Sequence, residues 1–401
     1  MATQPIGEGG GPRPLVFDAD AHVIEPTDLY FGELLDPAYH DRVTVDTELG
    51  DHHGRLFPLL DGRPTFGGSA WMRGYLASGD GRQVLIDRFG DIAERGFDPP
   101  AMLDAFDRQR IMCAALFPSF SLHVPYTDHA APDLAGALAR AYNLWITSFA
   151  AEGGGRLFAV ALIPLHDPGW AEAEIRRVAN DASVRGVMIR PNPVHGRPLH
   201  HPAHDRVFSA LEDVDLPMLL HEGRGGRHPF AGDRFDTWYA SHVVSHPFEM
   251  MLALLGLIVE GVFDRHPRLR VGVLESGTGW LPWWLHRIDE HHELFGPRER
   301  PDLQLEPSEY FARHCVISSD SDDAFTRAVV EAVGADHVAW SSDFPHLEAK
   351  WPDGVDVFVR RAGLDEEALQ TVLWDTPCRL YGEDPMALAA KVGVELEEAR
   401  S

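Results

Sequence analysis

Along this chain, short runs of nearly continuous apolar residues alternate with longer stretches in which apolar side chains recur every three or four positions. The short runs fall at residues 15–26, 112–117, 157–163, 184–190, 216–221, 269–275, 314–318 and 337–343. The stretches with helical spacing fall at 101–110, 133–151, 170–182, 204–214, 241–263, 280–294, 323–333 and 366–381. Strands that are apolar throughout are buried on both faces, and strands alternating with helices make a parallel sheet. Eight such units predict an α/β protein folded as a single (β/α)8 TIM barrel with a long insertion after the first strand. A doubly wound open sheet is the structural alternative, but the Gly-rich first turn of that fold is missing.

The barrel is expected over residues 14–385, between a flexible tail at 1–13 and a C-terminal tail at 386–401. Residues 26–100 are irregular and rich in Gly, Asp and aromatics, and a loop of that length reads as a lid or substrate-pocket insertion. Trp71 and Tyr75 within it suggest a substrate with a ring or another planar apolar group.

Composition narrows the function. The 401 residues are 44% hydrophobic and 24% charged, as in an ordinary globular protein. The net charge of -27 argues against nucleic acid and anionic membranes as partners. No apolar run approaches the ~20 residues of a membrane span. Residues 1–14 carry neither the basic nor the apolar part of a secretion signal, so a cytoplasmic protein is expected. Cys113, Cys315 and Cys378 are scattered and fit reduced, buried thiols. Lysine occurs only at Lys350 and Lys391, away from the predicted strand ends, which removes a Schiff-base lysine, a P-loop and a lysine bridging two metals. Serine hydrolysis is disfavoured because no G-x-S-x-G follows a strand.

In such barrels the C-terminal strand ends carry the chemistry. Read in order they offer Asp20 and His22, Pro118, His166 just past the third strand, Arg190, His221, Glu275, Asp320 and Asp343. Asp20 and His22 are two apart and project to the same side of a strand. With His221 and Asp343 they make a set of two imidazoles and two carboxylates, the open arrangement a catalytic metal needs.

The segments Phe17-Asp18-Ala19-Asp20-Ala21-His22-Val23-Ile24-Glu25-Pro26, Ala141-Tyr142-Asn143-Leu144-Trp145, Gly261 to Val271 and Ser342-Asp343-Phe344-Pro345-His346 together resemble the amidohydrolase-related family of metal-dependent hydrolases. That family includes aminocarboxymuconate semialdehyde decarboxylase and γ-resorcylate decarboxylase. The resemblance spans nearly the whole chain and implies a mononuclear divalent-metal barrel. Asp20 and His22 would be the first-strand ligands, His221 the fifth-strand ligand, and Asp343 an aspartate that binds the metal or moves a proton. Two departures stand out. Asp20 replaces the His or Glu with which many members begin, and Glu275-Ser276-Gly277 stands where the decarboxylases resemble His-x-Gly. His242 or His246 is a candidate to replace that missing imidazole.

These features predict an enzyme that binds one divalent ion, zinc first on imidazole content and manganese next. The expected reaction is hydrolysis of a small substrate by metal-activated water, with Asp343 or Glu275 as general base and His246 assisting. Arg190, Trp71, Tyr75 and His166 are the expected substrate contacts, with Arg190 answering any carboxylate. The alternative is nonoxidative decarboxylation of an aromatic or unsaturated acid, and a third is a barrel that only binds a ligand. A homo-oligomer, a dimer, is expected.

Overall fold

The computed structural model describes residues 14–26, 28–45, 51–52, 55–56, 58–65, 81–223, 234–235 and 237–393. Eight parallel strands follow one another around a barrel in chain order. They are β1 (Phe17–Val23), β2 (Cys113–Pro118), β3 (Leu157–Leu162), β4 (Val184–Ile189), β5 (Met218–Leu220), β6 (Val271–Val273), β7 (Cys315–Asp320) and β8 (Val338–Ser341). The ring closes through backbone bonds just past β8, where Asp343 N–H donates to Asp20 O (3.1 Å) and His22 N–H to Phe344 O (2.7 Å). Closure therefore sets Asp343 beside Asp20 and His22.

The strands are buried along almost their whole length, which is why they read as unbroken apolar runs. At the base, Phe17 packs on Phe158 and stacks on Tyr381, at centroid distances of 5.5 and 5.2 Å. Around the barrel run α1 (Pro99–Gln109), α2 (Pro132–Ala151), α3 (Pro168–Val178), α4 (Asp205–Val214), α5 (Trp238–Val259), α6 (Leu281–Glu299) and α7 (Thr326–Val333). Asp98 and Asp167 cap α1 and α3 immediately before a proline, a pairing that satisfies free N–H groups and presets φ. The helix expected over 241–263 stops at Glu260, because Gly261 turns left-handed (φ 68°) and opens a separate short helix. The helix expected over 366–381 is three pieces, with a π-helical turn at Thr371–Asp375. All three cysteines are unpaired and buried.

Three expectations change. The C-terminal tail expected from 386 begins as a helix, Pro385–Lys391, capped by Asp384 and anchored by buried Leu388 and Ala389. The insertion is not structureless: Val43–Val45, Pro58–Leu60 and Arg63–Pro64 form a small antiparallel sheet, and Gly81–Phe89 is helical. Phe89 meets Phe344 and Trp351 edge-on at 5.3 and 5.9 Å, so the insertion packs on the loop that carries Asp343. Finally, α5 is long and apolar enough over Tyr239–Val259 to match a membrane span by length and composition, contrary to the reading of the sequence. Half of that segment is buried, as in the core helix of a barrel.

Candidate metal centre and active site

The two strand-end imidazoles are held alike. His22 Nδ1 lies 2.7 Å from Pro118 O, and His221 Nδ1 lies 2.7 Å from Glu222 O. A carbonyl can only accept, so both Nδ1 atoms carry the proton and both Nε2 lone pairs point into the barrel mouth. Those Nε2 atoms have no hydrogen-bond partner, and neither do Asp20 Oδ1 and Asp343 Oδ1 beside them. His22 Nε2 is 3.6 Å from Asp20 Oδ1 and 3.3 Å from Asp343 Oδ1, while His221 Nε2 is 3.5 Å from Asp20 Oδ2 and 3.0 Å from Glu275 Oε2.

Burial pushes His221 down to about 3 and His22 well below its usual range, so both are neutral and set against carboxylates acceptor to acceptor. Burial, then the charge of Asp343, raises Asp20 in turn. Buried acceptors facing one another without a proton are costly, and a divalent cation between them removes the cost. The residues present therefore fit a metal ion, with Asp20, His22, His221 and Asp343 as its donors and Glu275 within reach. The backbone carbonyls on Nδ1 are the orienting partners such ligands need.

Glu275 (φ 44°) and Asp343 (φ 54°) are both left-handed, a strained backbone that turns a side chain back over the barrel mouth. Ser318 Oγ holds the Glu275 amide at 3.0 Å. Burial, then the neighbouring Asp343 and Asp20, push the Glu275 carboxyl well above its usual range. His346, immediately after Pro345, stacks on the His22 ring at 3.8 Å and brings Nδ1 to 2.7 Å from Asp343 Oδ1. Burial alone would lower His346, but the nearby carboxylates, Asp343 first and then Glu348 and Glu25, together raise it. On the far side His346 Nε2 meets Ser119 Oγ at 3.0 Å. Ser119 is fixed because the Glu25 carboxylate accepts from the amides of Ser119, Phe120 and Ser121.

A cavity of about 390 Å³ opens above these groups, lined among others by His246, Glu275, Asp320, Asp343 and Lys350. Burial and Asp343 raise Asp320 to about 7. His246, on α5, reaches within 3.5 Å of Glu275 Oε1, and burial pushes it down to about 3.

The expected substrate contacts are arranged differently. Arg190 is not on the cavity wall. Only 2% exposed, it is bound to Glu222 (2.7 Å), Asn192 (3.0 Å) and the Leu122 carbonyl (3.2 Å). His166 is buried against Thr127 O (3.0 Å) and the His195 ring, not among the cavity-lining residues. Trp71 and Tyr75 lie outside the described residues. The structure adds His346, Glu222 and Lys350 to the site. Of these, only His346 had a signal in the sequence, since it ends the Ser342-to-His346 motif. Lys350 reaches the cavity from a loop with no strand end near it in sequence, and its Nζ pairs with Asp322 at 3.0 Å.

A parallel (β/α)8 barrel with imidazole and carboxylate donors gathered at its C-terminal mouth places the protein among the hydrolase-type barrels with a candidate metal centre. More specifically, the amidohydrolase family profile matches residues 17–382, and the chain belongs to that family. Among its relatives, the γ-resorcylate decarboxylase of Rhizobium sp. is 28% identical over 239 residues, covering 56% of this chain and 71% of the relative. The 2-amino-3-carboxymuconate-6-semialdehyde decarboxylase of Dictyostelium discoideum is 26% identical over 270 residues, covering 66% and 71%. In fold, the chain is similar to an amidohydrolase of Mycobacterium avium subsp. paratuberculosis (TM-score 0.71, 22% identity, 92% of this chain and 99% of that one). It is also similar to a dihydroxybenzoic acid decarboxylase of Polaromonas sp. solved with bound manganese (TM-score 0.65, 18% identity, 92% and 97%).

Proposed function

We propose that this protein is a metal-dependent, nonoxidative decarboxylase of aromatic acids that carry a hydroxyl beside the carboxylate. This replaces hydrolysis, the first expectation from the sequence. The observation that carries it is the Asp343–His346 pair: an aspartate at the barrel mouth with a protonatable imidazole 2.7 Å behind it is a proton donor placed over the cavity. Similarity to relatives named as decarboxylases supports the same reading.

A divalent ion held by Asp20, His22, His221 and Asp343 would draw charge from the substrate's carboxylate and adjacent oxygen. Asp343 gives a proton to the ring carbon bearing the carboxylate. The carbon–carbon bond then breaks, its electron pair restores the ring, and carbon dioxide leaves. His346, which takes a new proton from solvent, would pass it to Asp343 and is held for that task by Ser119. Arg190 is bound to Glu222, and Lys350 on the cavity wall is paired with Asp322, so the substrate's carboxylate would be answered chiefly by the ion. Manganese is favoured over zinc, because Glu275 adds a third carboxylate to the donors, and oxygen-rich sites suit the harder ion.

The test is turnover of 2,6-dihydroxybenzoate in heavy water. One deuterium at the vacated ring carbon, lost together with carbon dioxide release in Asp343→Asn, is expected. Carbon dioxide release undiminished in Asp343→Asn would remove Asp343 from this role.

A further inference from the structure

The cavity wall holds a second set of converging donors, which shares only Glu275 with the centre described above. His242 and His246 are four apart on α5, a spacing that puts both rings on one face of a helix. Their rings lie 4.8 Å apart between centroids. Donor atoms of His242, His246 and Glu275 all fall within 4.8 Å of one another. Glu275 is divided between two neighbours, with Oε2 3.0 Å from His221 and Oε1 3.5 Å from His246.

The hydrogen bonds fix which nitrogen of His246 is free. Ser245 donates its hydroxyl proton to His242 O (3.1 Å), so its oxygen accepts from His246 Nδ1 at 3.0 Å. The His246 Nε2 lone pair therefore faces carboxylates. Besides Glu275 Oε1 it meets Glu222 Oε2 at 3.9 Å. Glu222 is 1% exposed, its Oε1 is bound to Arg190 and Asn192, and its Oε2 has no hydrogen-bond partner. A lone pair and two carboxylate oxygens turned toward one another repeat the pattern of unmatched acceptors seen at the first centre.

We propose that His242, His246 and Glu275 form a second divalent-cation site, with the Glu275 carboxylate shared between the two ions. Three protein donors leave positions open toward the cavity, where a substrate oxygen or water completes the shell. Glu275 then has a definite role where the family's imidazole is missing: it bridges. The proposal departs from the single ion expected from the sequence. It does not depend on the decarboxylase reading, because two ions serve an anionic substrate or a hydrolytic water equally well.

The experiment is a titration of the metal-stripped full-length protein with Mn²⁺ alone, read by equilibrium dialysis with elemental analysis and by electron paramagnetic resonance. The wild type is expected to take two equivalents per chain. The second equivalent should convert the isolated-ion Mn²⁺ spectrum into an exchange-coupled one, as a shared carboxylate requires. The His242→Ala/His246→Ala variant should keep the first equivalent and lose the second. A wild type that saturates at one equivalent overturns the proposal, as does a second equivalent retained in the double variant. The coupled spectrum is read on the wild type, so it stands even where the variant folds poorly. Two equivalents with uncoupled spectra refute the shared Glu275.

Discussion

His221 and Asp343 contribute differently to the same centre. His221 is held by the Glu222 carbonyl with its Nε2 lone pair toward the carboxylates, whereas Asp343 lies 2.7 Å from His346 and, in the proposed reaction, would both bind the ion and carry the proton. His221→Ala should abolish turnover and weaken binding of the first metal ion by 10-fold or more. Asp343→Asn should abolish turnover with a smaller loss of metal, and paired activity and metal analyses on the two variants check this. His346→Gln removes the proton relay while leaving the ligands in place. It should lower kcat by roughly 10²–10⁴ with KM little changed, and an unchanged kcat contradicts the relay. At this scale the sequence was partly legible. Asp20 and His22 followed from the two-residue period of a strand, and Asp343 from its place at a strand end. Glu222 was hidden because its partners, Arg190 and His246, become neighbours only when β4, β5 and α5 come together.

Arg190 shows how a side chain can be misjudged when only its element is known. Its place at the end of β4 was read correctly, but strand position does not say whether a guanidinium reaches the cavity or a buried carboxylate beneath it. With Arg190 and Glu222 2% and 1% exposed, Arg190→Met leaves a buried carboxylate unpaired. A loss of about 3–5 kcal/mol in urea unfolding is expected. Arg190→Met/Glu222→Met should recover most of it, and a single variant as stable as the wild type contradicts the pairing. The elements themselves were legible because eight apolar runs and eight helical periods leave few arrangements. Helix ends were less so: the left-handed Gly261 and the π-turn at Thr371–Asp375 are set by local geometry within stretches of helical spacing.

For the whole molecule, the barrel's stability should depend on metal and on pH. Removing metal exposes the repulsion among Asp20, Glu275 and Asp343, so chelation should lower Tm and re-addition of Mn²⁺ restore it. His166, outside the centre and 3% exposed, is pushed by burial from 6.5 to about 4. Between those values the unfolded chain binds a proton that the folded chain refuses. The stability from His166 is therefore whole above pH 6.5 and lost progressively as the pH falls toward 4, on the order of 3 kcal/mol in all. Urea unfolding of metal-saturated protein at pH 7 and pH 5 should show this loss, and His166→Gln should reduce it. An identical pH difference in the variant contradicts the assignment.

In the proposed reaction Asp343 and its ion release carbon dioxide from an acid and do not hydrolyse a bond. The most direct measurement gives the manganese-loaded protein a panel of ortho-hydroxybenzoic acids, with the matching esters, amides and lactones, in ¹⁸O-labelled water. Carbon dioxide release from one or more of the acids, with no ¹⁸O entering products of the esters, amides or lactones, is the predicted result. Cleavage of those neutral substrates with ¹⁸O in the new carboxylate, and no carbon dioxide from any acid, contradicts it.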